Sequence, residues 1–194
     1  AFATPFFGAG RARQAAEQMD IPLIVRDISD VHLEMIKNPR YGYGKNMNPC
    51  IDCHAMMFQL AGEIMDREGF DFLFSGEVLG QRPMSQNANA LRSVANHSGH
   101  PDRILRPLSA KLLPITPMEE QGLVDRERLL DIQGRSRGRQ MALAEELGEL
   151  PAVLRRMLKR EGGFDVDAWV QRLAALRGST GSGSGAQEDL FTNA

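Results

Sequence analysis

A chain of 194 residues with 42% hydrophobic content is long enough for one well-filled core, and it reads as one domain with a short appendage. A formal net charge of −2 supplies no global field that would select nucleic acid or acidic lipid. No apolar run approaches bilayer-spanning length, so the expectation is a soluble, cytoplasmic protein with no membrane partner.

The N-terminal run Ala1-Phe2-Ala3-Thr4-Pro5-Phe6-Phe7-Gly8 resembles the end of a buried strand, which suggests that a segment upstream is missing. Residues 9–19 carry good helix formers. Residues 21–28 are apolar and β-branched, predicting a strand that starts at Pro22. Ser29 or Asp30 can cap a short helix through Ile36. Residues 38–49 form a loop rich in Gly, Asn and Pro. From 50 to 68, Met56, Met57, Leu60, Ile64 and Met65 recur at helical spacing, and Gly69 ends the helix. A buried strand at 71–75, a loop at 76–83 and a helix at 84–96 follow, then a strand at 104–108. Helices are expected at 137–147, 152–160 and 166–176. The Gly/Ser tract from Gly178 cannot offset its ordering entropy. The predicted organisation is therefore a domain over 1–147, a helical appendage over 148–177 and a disordered tail over 178–194. Alternating strands and helices predict an α/β fold, a parallel sheet with helices on both faces, whose ligands sit beyond the carboxyl ends of the strands.

Two loops at such strand ends carry chemistry. In the first, both cysteines of the chain fall in Asn48-Pro49-Cys50-Ile51-Asp52-Cys53-His54. A C-x-x-C pair suits a redox or sulfur-carrying dithiol, half of a metal or cluster site, or, with the following His, haem attachment; two apolar buried cysteines are the plain alternative. A disulfide across two residues would close only a tiny loop. A helix start beside a thiol lowers its pKa, which predicts a reactive thiolate here. In the second loop, Ser75 to Asn87 combines Gly76 and Gly80, Glu77, Gln81 and Gln86, with Ser85 placed to cap the next helix. Downstream, Arg135, Arg137 and Arg139 alternate; such a face meets solvent or nucleic-acid phosphate.

The runs Gly76-Glu77-Val78-Leu79-Gly80-Gln81, Ser85-Gln86 and Leu105-Arg106-Pro107-Leu108 resemble the PP-loop ATP-pyrophosphatase domain of tRNA 4-thiouridine synthases and related tRNA thiolation proteins. So do Tyr41 to His54, Arg106 to Pro114 and Val124-Asp125-Arg126, and the likeness spans residues 1–147. The resemblance implies a Rossmann-like fold of the adenine-nucleotide α-hydrolase type. It implies a sulfurtransferase that adenylates a nucleobase oxygen of tRNA with ATP and Mg2+. Sulfur, from a donor protein or sulfide, then replaces that oxygen. Cys50 and Cys53 would carry the sulfur or ligate an iron–sulfur cluster. Gly76, Glu77, Gly80, Gln81, Ser85 and Gln86 would line the nucleotide or base pocket, and Arg106 and Lys111 would meet phosphates. The family's Ser-Gly-Gly-x-Asp-Ser pyrophosphate loop does not occur in this sequence. The expectation is that it and the first strand are missing with the N-terminus, leaving the chain as given inactive alone. Some relatives carry a further cysteine after a Gly-Gly pair, where Phe164 follows Gly162-Gly163 here. The alternative function is a non-catalytic nucleotide- or metal/iron–sulfur-binding module of the same fold.

Overall fold

The computed structural model describes residues 1–44 and 47–147. The helices expected at 152–160 and 166–176, the tail over 178–194 and Lys45 lie outside them. In chain order the elements are β1 (Phe2–Ala3), α1 (Gly10–Gln18), β2 (Arg26–Asp27), α2 (Ser29–Lys37), α3 (Cys50–Glu68), β3 (Leu73–Phe74), α4 (Ala88–His97), β4 (Ile104–Leu105), α5 (Pro117–Glu120) and α6 (Gly138–Leu147). Short 3-10 turns sit at Pro101–Arg103, Ala110–Leu112 and Arg126–Arg128.

The strands pair in parallel but in two separate ladders. β1 lies beside β2 with Phe2 opposite Arg26, and β3 beside β4 with Leu73 opposite Ile104. The fold is thus mixed α/β, with parallel pairing where the pattern predicts it and far shorter strands than it predicts. Two causes are visible. Pro22 has no N–H for a ladder, and Ile21 N–H turns back to Ala16 O instead. At β4, Pro107 follows Arg106 and the chain turns, with Ser109 N–H donating to Arg106 O. Of the N-terminal run only Phe2–Ala3 is strand, and it is half-buried; Thr4 and Phe7 then close a tight turn and Phe6 is 77% exposed.

The core has two parts. Phe72, Leu105, Ala110, Met118, Val124 and Leu129 cluster under β3 and β4. α3 packs on α4, with Leu60 and Met65 facing elements that bury Leu91 and Val94. Gly in a helix interior costs about 1 kcal/mol against Ala, so Gly62 needs a reason. A Cβ there would lie 2.1 Å from the His100 imidazole, which rests on α3 at that point. Gly69 ends α3 at φ 70°, the left-handed conformation expected of a helix-terminating glycine. Among the described residues no helix is long and apolar enough to cross a membrane.

Candidate functional site

The first turn of α3 is built by Asp52. Its carboxylate accepts the backbone N–H groups of Arg40 and Tyr41 at 2.9 and 3.0 Å. That draws the preceding loop across the helix start. Tyr43 OH donates to Ile36 O, and Tyr41 OH lies 2.7 Å from His97 Nδ1 of α4, which pins the loop at both ends. Gly44 N–H to Asn48 O, at 3.0 Å, closes the approach to Pro49 and Cys50.

Cys50 opens α3 and Cys53 stands one turn on; both are free thiols and half-buried. Cys53 does not become the reactive thiolate that a helix start suggests. Burial first, then the nearby Cys50 and Asp52, push its thiol up to about 11. Its own N–H already donates to Pro49 O, so it offers the sulfur nothing.

The second loop divides into a closed half and an open half. In the closed half, Glu77 is 7% exposed and fully engaged. Its Oε2 accepts from Arg106 Nε at 2.8 Å and from Ser75 Oγ at 3.3 Å. Its Oε1 lies 2.7 Å from Nδ1 of His54. A carboxylate only accepts, so Nδ1 carries the proton. Burial alone would raise the Glu77 pKa, but the hydrogen bond from His54 and the charge of Arg106 outweigh it and hold the carboxyl below its ordinary range. Arg106, also 7% exposed, donates to Leu91 O at 3.2 Å and lies over the Phe58 ring. It is tied to Glu77 rather than presented to a ligand.

A seam follows. Leu79 N–H donates to Ser109 Oγ at 2.9 Å, and that hydroxyl donates to Ile132 O at 2.6 Å. Leu79 O accepts from Gly134 N–H at 2.8 Å. Here glycine is required twice. Gly80 has φ 76° and Gly134 φ 87°, and a Cβ on Gly80 would sit 3.4 Å from Gly134 N. Gly76 meets no such demand: its φ is not positive and nothing lies within 4 Å of a Cβ there.

The open half begins at Gln81. The helix expected from 84 starts at Ala88, and its cap is Asn87, not Ser85. Asn87 Oδ1 accepts from Ala90 N–H at 2.9 Å while its amide donates to Pro83 O at 2.8 Å. Ser85 is left in the turn before the cap. Its hydroxyl is buried, at 1% exposure, and has no hydrogen-bond partner; Gln86 Oε1 is likewise unpartnered.

Between the two loops lies a cleft of about 300 Å3. Gly44, Asn48 and Cys50 form one wall, Gln81 to Ser85 the other, and Arg135 closes a third side. Of the residues singled out in the sequence, the structure brings together Cys50, Gln81, Ser85 and Arg135. Glu77, Gln86 and Arg106 lie behind this cleft, and Gly76 and Gly80 do not line it. Lys111 is elsewhere, donating to Glu127 O at 2.8 Å. Arg139 pairs with Asp131 at 2.6 Å, and Arg137 is exposed. Arg82 and Asn48 are cleft residues that sequence reasoning did not assign, and His54 is the partner that holds Glu77 behind it. The sign for His54 was its place four residues after Cys50, on the same helix face. A second cleft of about 270 Å3, between α4 and α5, contains Glu119, but that carboxylate is taken by Thr116 and Arg126.

A four-cysteine cluster needs two more thiolates than this sequence has. Its only cysteines are Cys50 and Cys53, and the described residues contain no group of three or more His, Cys, Asp or Glu side chains placed to hold a metal ion. The donor set does not fit an iron–sulfur cluster held by these residues alone. The chain matches no family model, no curated protein and no solved structure.

Proposed function

We propose that this chain carries and delivers sulfur in the ATP-dependent thiolation of a nucleobase of tRNA, on a Rossmann-like scaffold. The observation that supports the reading is the single cleft in which Cys50 meets Gln81 and Ser85. Those three come from the two segments whose sequences resemble the tRNA thiolation family. ATP with Mg2+ supplies the adenylate on the base oxygen, and no described residue of this chain is assigned that step.

Cys50, on the cleft, is the sulfur carrier. The Cys50 thiolate attacks the outer sulfur of a donor protein's persulfide; that S–S bond breaks, the donor leaves as a thiol, and Cys50 becomes the persulfide Cys50–S–SH. The terminal sulfur attacks the activated base carbon, the C–O bond breaks, and AMP leaves with the oxygen. The base is then held to Cys50 through an S–S bond. Cys53, set back from the cleft, is the resolving thiol. It gives its proton to water and attacks Cys50 Sγ. The S–S bond to the base breaks, its electron pair stays on the base sulfur as the thiocarbonyl, and a Cys50–Cys53 disulfide remains. A cellular thiol reductant returns both to thiols. The raised pKa of Cys53 keeps it protonated near neutral pH, so it competes little with Cys50 for the sulfur donor.

The test is tRNA thiolation by the full-length protein that carries the pyrophosphate loop, with thermal stability measured on the same samples. Cys50→Ser abolishes sulfur transfer because a hydroxyl forms no persulfide. Cys53→Ser arrests at the mixed disulfide between tRNA and Cys50. Full activity in both variants would overturn the assignment.

A further inference from the structure

The cleft holds three polar groups that the sulfur chemistry does not use. Ser85 presents a hydroxyl that is 1% exposed and has no partner. A buried hydroxyl with no partner carries a desolvation penalty that a ligand would relieve. Arg82 and Arg135 line the same space from opposite sides of the Gly80–Gly134 seam. Neither forms an ion pair with a carboxylate among the described residues. By contrast Arg26, Arg103, Arg106, Arg126 and Arg139 all do. No acidic side chain is among the described residues lining the cleft, and the nearest carboxylate in sequence, Asp52, is occupied by two backbone amides. Among the described residues, two guanidinium groups without an ion pair, one orphaned donor and no lining carboxylate make a setting that favours an oxyanion. Guanidinium groups match phosphate oxygens with paired donors.

We propose that the cleft contains a phosphate subsite, in which Arg82 and Arg135 neutralise a phosphate group and Ser85 Oγ–H donates to one of its oxygens, beside the sulfur of Cys50. The subsite deepens the sulfur-delivery reading: it holds the substrate's phosphate so that a base can approach Cys50. The same chemistry would take the phosphates of a free nucleotide.

The experiment measures binding by the whole chain of three probes, inorganic pyrophosphate, ATP and tRNA, over a salt series, for wild type and for Arg82→Gln, Arg135→Gln and Ser85→Ala. For a polynucleotide phosphate, each arginine variant weakens tRNA binding about tenfold and lowers the slope of log affinity against log salt by about 0.9. Ser85→Ala weakens it several-fold while the thermal midpoint stays level or rises, which a merely structural hydroxyl would not do. If ATP and pyrophosphate weaken in these variants and tRNA does not, the subsite stands and its phosphate is a nucleotide's. Phosphate binding by this chain, together with Cys50→Ser and Cys53→Ser full-length proteins that still thiolate tRNA, supports the subsite and sinks only the sulfur-delivery reading. Wild-type affinity for all probes in all three variants, or no binding of any probe by wild type, overturns the subsite.

Discussion

Two neighbouring regions drawn from the same segments differ in how their polar groups are satisfied. Behind the second loop, His54, Glu77 and Arg106 form a buried chain of short contacts, with Ser75 completing it. In front of that loop, Ser85 has no partner, and Arg82 and Arg135 have no carboxylate among the described residues. The residues between Ser75 and Asn87 therefore do two jobs. The satisfied half holds the loop against α3 and β4, and the unsatisfied half faces the cleft. Polar composition alone marks both halves equally, and hydrogen-bond satisfaction separates scaffold from site.

The comparison breaks most sharply at Glu77. Glu77→Ala leaves the Arg106 guanidinium buried without its carboxylate, and chemical denaturation should record a loss of about 3–5 kcal/mol. Ser85→Ala, on the cleft side, should stay within about 0.5 kcal/mol of wild type. Equal losses at both positions would erase the distinction.

Next in size is thiol reactivity. With Cys53 at about 11 instead of the ordinary value of 9.0, its thiolate population near pH 8 falls about a hundredfold, equivalent to about 2.7 kcal/mol. Mass-spectrometric mapping of alkylation by iodoacetamide should find Cys53 modified that much more slowly than a free cysteine. Modification at the free-thiol rate would show that Cys53 is neither buried nor screened by Asp52.

The smallest effect is the pH dependence of stability. The Glu77 carboxyl is depressed in the folded state, so its stabilisation is present above the unfolded carboxyl pKa, near 4.3. It is lost as pH falls from there through the folded value, at a slope of at most about 1.4 kcal/mol per pH unit for one proton. Denaturation midpoints between pH 6 and pH 3 should show this decline in wild type and a shallower one in Glu77→Gln. Identical slopes would mean that Glu77 is not held ionised by His54 and Arg106.

How far the sequence disclosed this follows from the range of each interaction. α3 was legible from 50 to 68 because apolar spacing and Gly69 are local. Strand-end placement held for the second loop, after β3, but not for the first, which follows α2 rather than a strand. The cap of α4 was not, because Ser85 and Asn87 can both cap; Asn87 prevails by also reaching Pro83 O. The engagement of Arg106 was hidden because Glu77 lies far away in sequence, and a free arginine reads the same as a paired one. The sheet was overestimated because β-branched composition does not reveal that Pro22 and Pro107 withhold ladder donors. That Cys53 is the suppressed thiol was not legible because helix position is local, whereas burial is not.

The meeting of Gly80 and Gly134 bears on how this protein can change over evolutionary time. Two stretches distant in the chain are held at contact by backbone atoms, and the side chains of the cleft wall take no part in that contact. Gln81, Arg82 and Arg135 can therefore be exchanged for other residue types while the width of the opening is kept. Ligand preference is free to drift at those positions. The two glycines are not free in this way, because both hold left-handed conformations that other residues rarely adopt.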